Sequence, residues 1–155
     1  ELKYRQDEDL NVIIWKDGSK GYEASEPVIL QGHMDMVAVK EADCDKDMEK
    51  EGLDLEINGD YISAKGTSLG GDDGIAVAYT LAVLDDEEMA HPPIEAIFTV
   101  NEEIGMLGAA TIDVSDLKGR LFMNMDSEDE GIFLADLFYD LDVRTVHRAQ
   151  GQRTV

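Results

Sequence analysis

Val28-Ile29-Leu30 runs into Gly32-His33-Met34-Asp35, residues 94–100 run into Asn101-Glu102-Glu103, and residues 121–125 run into Asp126. Three short, largely apolar runs thus each end on residues that bind metal or move protons. Runs of this length, bounded by polar or turn residues, read as buried strands. In open α/β sheets the ligand site lies beyond the carboxyl ends of such strands. Between the first two runs stands Gly70-Gly71-Asp72-Asp73-Gly74, followed at once by an apolar, helix-like stretch. One His and several carboxylates, delivered from four segments to one edge, make an oxygen-rich cation site. The pattern reads as a metalloenzyme.

A length of 155 residues suits one domain with a real core, and 43% hydrophobic content argues against wholesale disorder. The formal charge of −22, from 35 acidic and 13 basic residues, argues against nucleic acid and anionic membrane surfaces as partners. Most of the acids read as a solvated surface, as in Asp85-Asp86-Glu87-Glu88. Cys44 is the single cysteine, so no intrachain disulfide can form and a reducing, cytoplasmic setting is expected. Its acidic surroundings work against a reactive thiolate. No run approaches the roughly 18 apolar residues that span a bilayer, and no signal peptide opens the sequence. The chain starts at Glu1 without Met, in the approach to a strand, and reads as truncated or processed.

Residues 11–16, β-branched and aromatic, predict a first strand, and Pro27 opens a second. Residues 40–52 read as a charged loop or exposed helical turn. Residues 53–57 alternate at period two, then come Asn58-Gly59 and Tyr61-Ile62-Ser63-Ala64, a strong hairpin signal. Residues 75–84 are apolar except at Thr80, which predicts a helix buried on most faces. A strand over 94–100, a short helix over 105–112 and a strand from Leu121 follow. Residues 132–143 read as a further strand, and 144–155 as a polar tail without periodicity.

His33 and Asp35, two apart, share a face of an extended chain. Either both bind metal, or His33 binds and Asp35 holds its other ring nitrogen. Asp72 follows two glycines at the start of a helix, where negative charge is favoured. The plainer alternative is that Asp72 or Asp73 is an N-cap. Glu102 and Glu103 are adjacent, so their side chains diverge and can take different tasks, one binding metal and one moving a proton. Asp126, nearest its strand, is the ligand candidate among Asp126-Ser127-Glu128-Asp129-Glu130. One His among many carboxylates suits two divalent ions, zinc first, with manganese or cobalt chemically reasonable. Asp72 is the best-placed bridge between them. His91, in a loop before Pro92-Pro93, reads as a surface residue, and His147, in the tail, as a bystander. Asp43-x-Asp45-x-Asp47 opens like a calcium loop, but Met48 stands where the glycine belongs.

Gly32-His33-Met34-Asp35, Gly66-Thr67-Ser68-Leu69-Gly70-Gly71-Asp72-Asp73-Gly74, Asn101-Glu102-Glu103-Ile104-Gly105-Met106 and Asp126-Ser127-Glu128 resemble the co-catalytic zinc peptidases that include aminoacylase, carboxypeptidase G and carnosine-type dipeptidases. Gly-Thr-Ser-Leu-Gly and Asp-Ser-Glu-Asp-Glu-Gly look most like the bacterial aminoacyl-histidine (Xaa-His) dipeptidases. The resemblance covers roughly residues 8–134. It implies an α/β fold with a central mixed β-sheet flanked by helices. It implies His33 and Asp126 on one ion, Glu103 on the other, Asp72 between them, Asp35 orienting His33, and Glu102 as general base. It also implies a cis peptide bond between Asp72 and Asp73. The implied activity is hydrolysis of dipeptides or small peptides; a related aminopeptidase or N-acyl-amino-acid deacylase is the alternative, and a non-enzymatic cation-binding acidic domain the rival. Asp73 stands where family members usually carry Asn, and neither the family's last His ligand nor its lid domain has a match. The expectation is a partial catalytic domain, cut at both ends; a homodimeric parent stays open.

Overall fold

The structure, a computed structural model, describes residues 1–127. The expected strand over 132–143, the 144–155 tail, His147 and the acids Glu128, Asp129 and Glu130 lie outside the described residues.

Two adjoining strands, β1 (Lys3–Gln6) and β2 (Val12–Lys16), pair antiparallel. β3 spans Val28–His33, and β4 (Leu55–Asn58) and β5 (Tyr61–Ala64) form the expected hairpin. Helix α1 (Gly71–Asp85) leads to β6 (Ile94–Thr99), and α2 (Leu107–Thr111) to β7 (Leu121–Asn124). The main sheet has the order β1-β2-β6-β3-β7. β3 runs parallel to both β6 and β7, whereas β2 runs antiparallel to β6, so the sheet is mixed as expected. In the hairpin Asn58 pairs with Tyr61, which puts Gly59-Asp60 at the turn centre, one residue on from the Asn-Gly signal. Gly59 takes the positive φ, 63°, that this tight connection demands.

Central position explains why β3 and β6 are the most apolar strands, since both of their faces are covered. On one face Leu30, Ile94, Ala96 and Phe98 pack with Leu84 of α1. On the other, Ile13, Ile29 and Ile97 meet Trp15, Ile112, Leu117 and Phe122. Each such Ile, Leu or Phe contributes about 1.5–3 kcal/mol by leaving water. Glu95 lies among them, 3% exposed, and accepts the backbone N–H of Lys118 and Gly119. Its carboxylate thereby fixes the entry to β7. Lys16 reaches from β2 to the Val83 carbonyl, closing the negative end of α1 with a cation.

Helix α1 departs from the expectation of burial on most faces. Ala76, Thr80 and Leu84 are buried, but Ile75, Tyr79 and Leu81 are about half exposed. Within the described residues only one face of α1 meets the sheet, so the periodic stripe, not the whole helix, is covered. Thr80 is 1% exposed and its hydroxyl has no hydrogen-bond partner among the described residues. A buried hydroxyl of this kind costs about 1 kcal/mol or more. Thr80→Val, near in shape, is therefore expected to raise Tm by about 3 °C in a calorimetric scan. A fall in Tm would show that the hydroxyl is held after all.

Candidate metal centre

Parallel register decides what meets at the upper edge of the sheet. His33 pairs with Thr99, and Gln31 with Asn124. Asp126, two residues beyond Asn124, therefore comes level with His33, two residues beyond Gln31. Glu102 and Glu103 follow Thr99 closely, and the start of α1 brings in Asp72 and Asp73. Two groups have ligand atoms all within 4.8 Å of one another: His33, Asp72 and Glu103, and His33, Glu102 and Asp126. All four expected ligands and the expected base thus converge. An open cleft of about 230 Å³, lined by Val37, Ser68, Gly70, Gly71, Asp72 and Glu103, adjoins them.

His33 is the pivot and is 1% exposed. Its Nδ1 faces the Asp35 backbone carbonyl at 2.9 Å, and its Nε2 faces Asp72 Oδ1 at 3.1 Å and Glu102 Oε2 at 3.8 Å. A carbonyl only accepts, so Nδ1 carries a proton. Neutral imidazole would then aim the Nε2 lone pair at carboxylate lone pairs, which repel it. A cation between them, a proton or a metal ion, resolves the conflict. Burial pushes the His33 pKa down, but the Asp72 hydrogen bond, the Asp35 carbonyl and the charges of Glu102 and Asp73 outweigh it, so the pKa is raised. The donor set, one fixed imidazole nitrogen among carboxylates, fits a divalent metal.

Asp35 acts differently from the expectation. It does hold His33 Nδ1, but through its backbone oxygen; its carboxylate stands 3.6 Å from that nitrogen. The carboxylate instead accepts the backbone N–H of Glu102 at 3.1 Å and of Glu103 at 3.2 Å. Two amides presented side by side at a turn match a bidentate acceptor better than one ring nitrogen does.

Asp72 and Asp73 are joined by a cis peptide bond, as expected. No side-chain cap closes α1, so the N-cap alternative finds no support. Asp73, 1% exposed, accepts the His33 backbone N–H at 3.3 Å. Burial, with help from Asp126 and Asp72, raises its pKa to about 6 against the opposing pull of His33. Glu102 is also raised, first by burial and then by Asp126, Glu103 and Asp35, with His33 opposing. Gly32 permits this packing: a Cβ there would lie 2.8 Å from Ala76 Cβ and 2.9 Å from Asp73 Oδ2. Sequence reasoning did not single out Asp73 as the support beneath His33.

The other candidates lie elsewhere. Asp47 accepts the Glu49 amide and the Lys50 ammonium rather than facing a cation loop. His91, expected at the surface, is buried, because Ser19 takes its backbone N–H and its Nδ1 lies 2.8 Å from the Pro92 carbonyl. It precedes β6, at the end of the sheet away from His33.

No family model matches the chain. Over 121 residues it is 42% identical to the cytosol non-specific dipeptidase of Escherichia coli, an alignment that covers 78% of the chain. The crystal structure of aminoacylhistidine dipeptidase from Vibrio alginolyticus superposes on 84% of the chain with a TM-score of 0.79 and 43% identity. The chain resembles the aminoacyl-histidine dipeptidases. It spans 25% and 26% of the length of these two relatives. A fainter likeness, 26% identity with a TM-score of 0.63, links it to aminopeptidase PepT from Bacillus cereus. The chain thus shares the fold of these peptidases, and its His, Asp and Glu groups could hold a metal ion.

Proposed function

We propose that this chain is the part of a dipeptidase catalytic domain that carries most of its metal centre, and that the whole protein hydrolyses dipeptides of the Xaa-His type. The observation that carries the reading is the buried His33, proton fixed on Nδ1, with Nε2 turned to the Asp72 and Glu102 carboxylates and with Glu103 and Asp126 grouped close by. His33 and Asp126 would hold one divalent ion, Glu103 the other, and Asp72 would bridge them; zinc is the first choice, manganese or cobalt the alternatives. When bound, such ions supply Lewis acidity and a nucleophile at neutral pH. Glu102 takes the proton of the attacking water and delivers it to the leaving amine. Asp35 fixes the Glu102-Glu103 backbone, and substrate enters over the cleft beside Asp72 and Glu103.

Identity of 42–43% to the dipeptidases against 26% to the aminopeptidase favours the dipeptidase over the aminopeptidase or deacylase alternative. A cytoplasmic setting rests on the single cysteine and on a relative named for the cytosol. Among the described residues no helix is long and apolar enough to cross a membrane. Calorimetric titration of the chain with zinc and manganese, beside His33→Ala, tests the centre, and hydrolysis of Xaa-His dipeptides by the whole protein tests the activity. Binding that His33→Ala leaves untouched, or a metal-loaded whole protein that cleaves no dipeptide, sinks the reading.

A further inference from the structure

Asn11, at the head of β2, is 1% exposed and uses every polar atom of its side chain. Its Oδ1 accepts the backbone N–H of Val100 at 3.1 Å. Its Nδ2 donates to the Gly108 carbonyl at 3.1 Å and to Asp7 Oδ2 at 2.8 Å. Asp7 Oδ1 also accepts the Asn11 backbone N–H at 2.8 Å. Two acceptors on one side and one donor on the other fix which way the amide points. Val100 and Gly108 are the ends of the segment that carries Glu102 and Glu103, and Gly108 N–H donates to Val100 O at 3.1 Å. A Cβ on Gly108 would lie 2.5 Å from Asn11 Oδ1 and 2.3 Å from Val100 O, so the contact requires glycine.

We infer that Asn11 is a positioning residue of the metal centre: it clamps both ends of the 100–108 segment and so sets where Glu102 and Glu103 stand. It touches none of the reacting groups. Its grip is complementary to that of Asp35, which holds the middle of the same segment by the Glu102 and Glu103 amides. Only Asn supplies this pattern at this length. Asp would turn a charged acceptor toward the Asp7 carboxylate and the Gly108 carbonyl, and Ala would leave the Val100 N–H unpaired, while the Gly108 carbonyl keeps the Ile112 amide and the Thr111 hydroxyl.

Amide hydrogen exchange of the full chain, without metal, tests the clamp independently of the functional reading; a zinc titration, which rests on that reading, tests the consequence. In Asn11→Ala the amides of 102–108 are expected to exchange about tenfold faster or more, as losing two buried hydrogen bonds implies. Zinc affinity is expected to fall about tenfold, as for other outer supports of a metal site. Asp7→Ala removes only the half-buried carboxylate that orients the amide, and accelerates the same amides by a smaller factor. Should Asn11→Ala fail to fold, Asp7→Ala decides. His91→Ala, at the opposite end of the sheet, controls for general destabilisation and leaves both the 102–108 amides and zinc affinity unchanged. Wild-type exchange rates at 102–108 in the Asn11 and Asp7 variants overturn the clamp. Faster exchange with undiminished zinc affinity overturns the positioning role. If the unaltered chain binds no zinc, the functional reading fails, and exchange alone decides the clamp.

Discussion

Glu102→Gln is expected to lower dipeptide hydrolysis by the whole protein about 10²–10⁴-fold while divalent-ion binding by this chain stays close to that of the unaltered sequence. Glu102 is half-buried, with Oε2 3.8 Å from His33 Nε2. Burial, and then Asp126, Glu103 and Asp35, raise its pKa above the ordinary glutamate range despite the opposing His33. A carboxylate raised in this way is a better proton acceptor near neutrality than an exposed one. Glutamine keeps the size and the backbone N–H that Asp35 accepts, but it cannot take a proton. The loss should therefore fall on kcat, with KM little altered. Two results would refute the assignment. Activity within a few-fold of the parent would show that another group moves the proton. Loss of metal binding would make Glu102 a ligand, as its place in the His33, Glu102 and Asp126 group also allows.

Much of this centre was legible because β3 and β6 are covered on both faces and so read as short apolar runs. What the sequence could not supply is register. Asp126 belongs to the centre because Gln31 pairs with Asn124 while His33 pairs with Thr99, and hydrophobic pattern alone does not choose between neighbouring alignments. β1 is an exposed edge strand of Lys3-Tyr4-Arg5-Gln6, with no apolar face to betray it. The outer face of α1 was misread for a related reason: an all-apolar helix implies a cover, and within the described residues there is none. The supporting roles of Asn11, Asp73 and Glu95 have no sequence signature because each acts through backbone amides or carbonyls of distant segments. Such partners leave no local pattern.

The same blindness to backbone partners makes Asp35 the sharper test. Read from spacing, its carboxylate belongs on His33; in the fold it accepts the N–H groups of Glu102 and Glu103, and the Asp35 carbonyl serves the ring. Asp35→Asn separates the two roles. Asparagine keeps the carbonyl that fixes His33, but it offers one acceptor oxygen where two amides need two, and turns an NH₂ toward an N–H. Charge-assisted hydrogen bonds contribute about 1.5–3 kcal/mol each, so one lost bond and one donor facing a donor loosen the turn by roughly 3 kcal/mol. Zinc affinity is accordingly expected to fall about 100-fold, at the upper end for an outer support of a metal site. Nitrogen-15 NMR should find the His33 proton still on Nδ1, while the Glu102 and Glu103 amide resonances shift. The opposite pattern, a changed tautomer with undisturbed amides, would return the carboxylate to the imidazole. On the proposed roles, a carboxylate that aims two adjacent amides would place one glutamate for binding and its neighbour for proton transfer, a division of labour a ring contact alone would leave to chance.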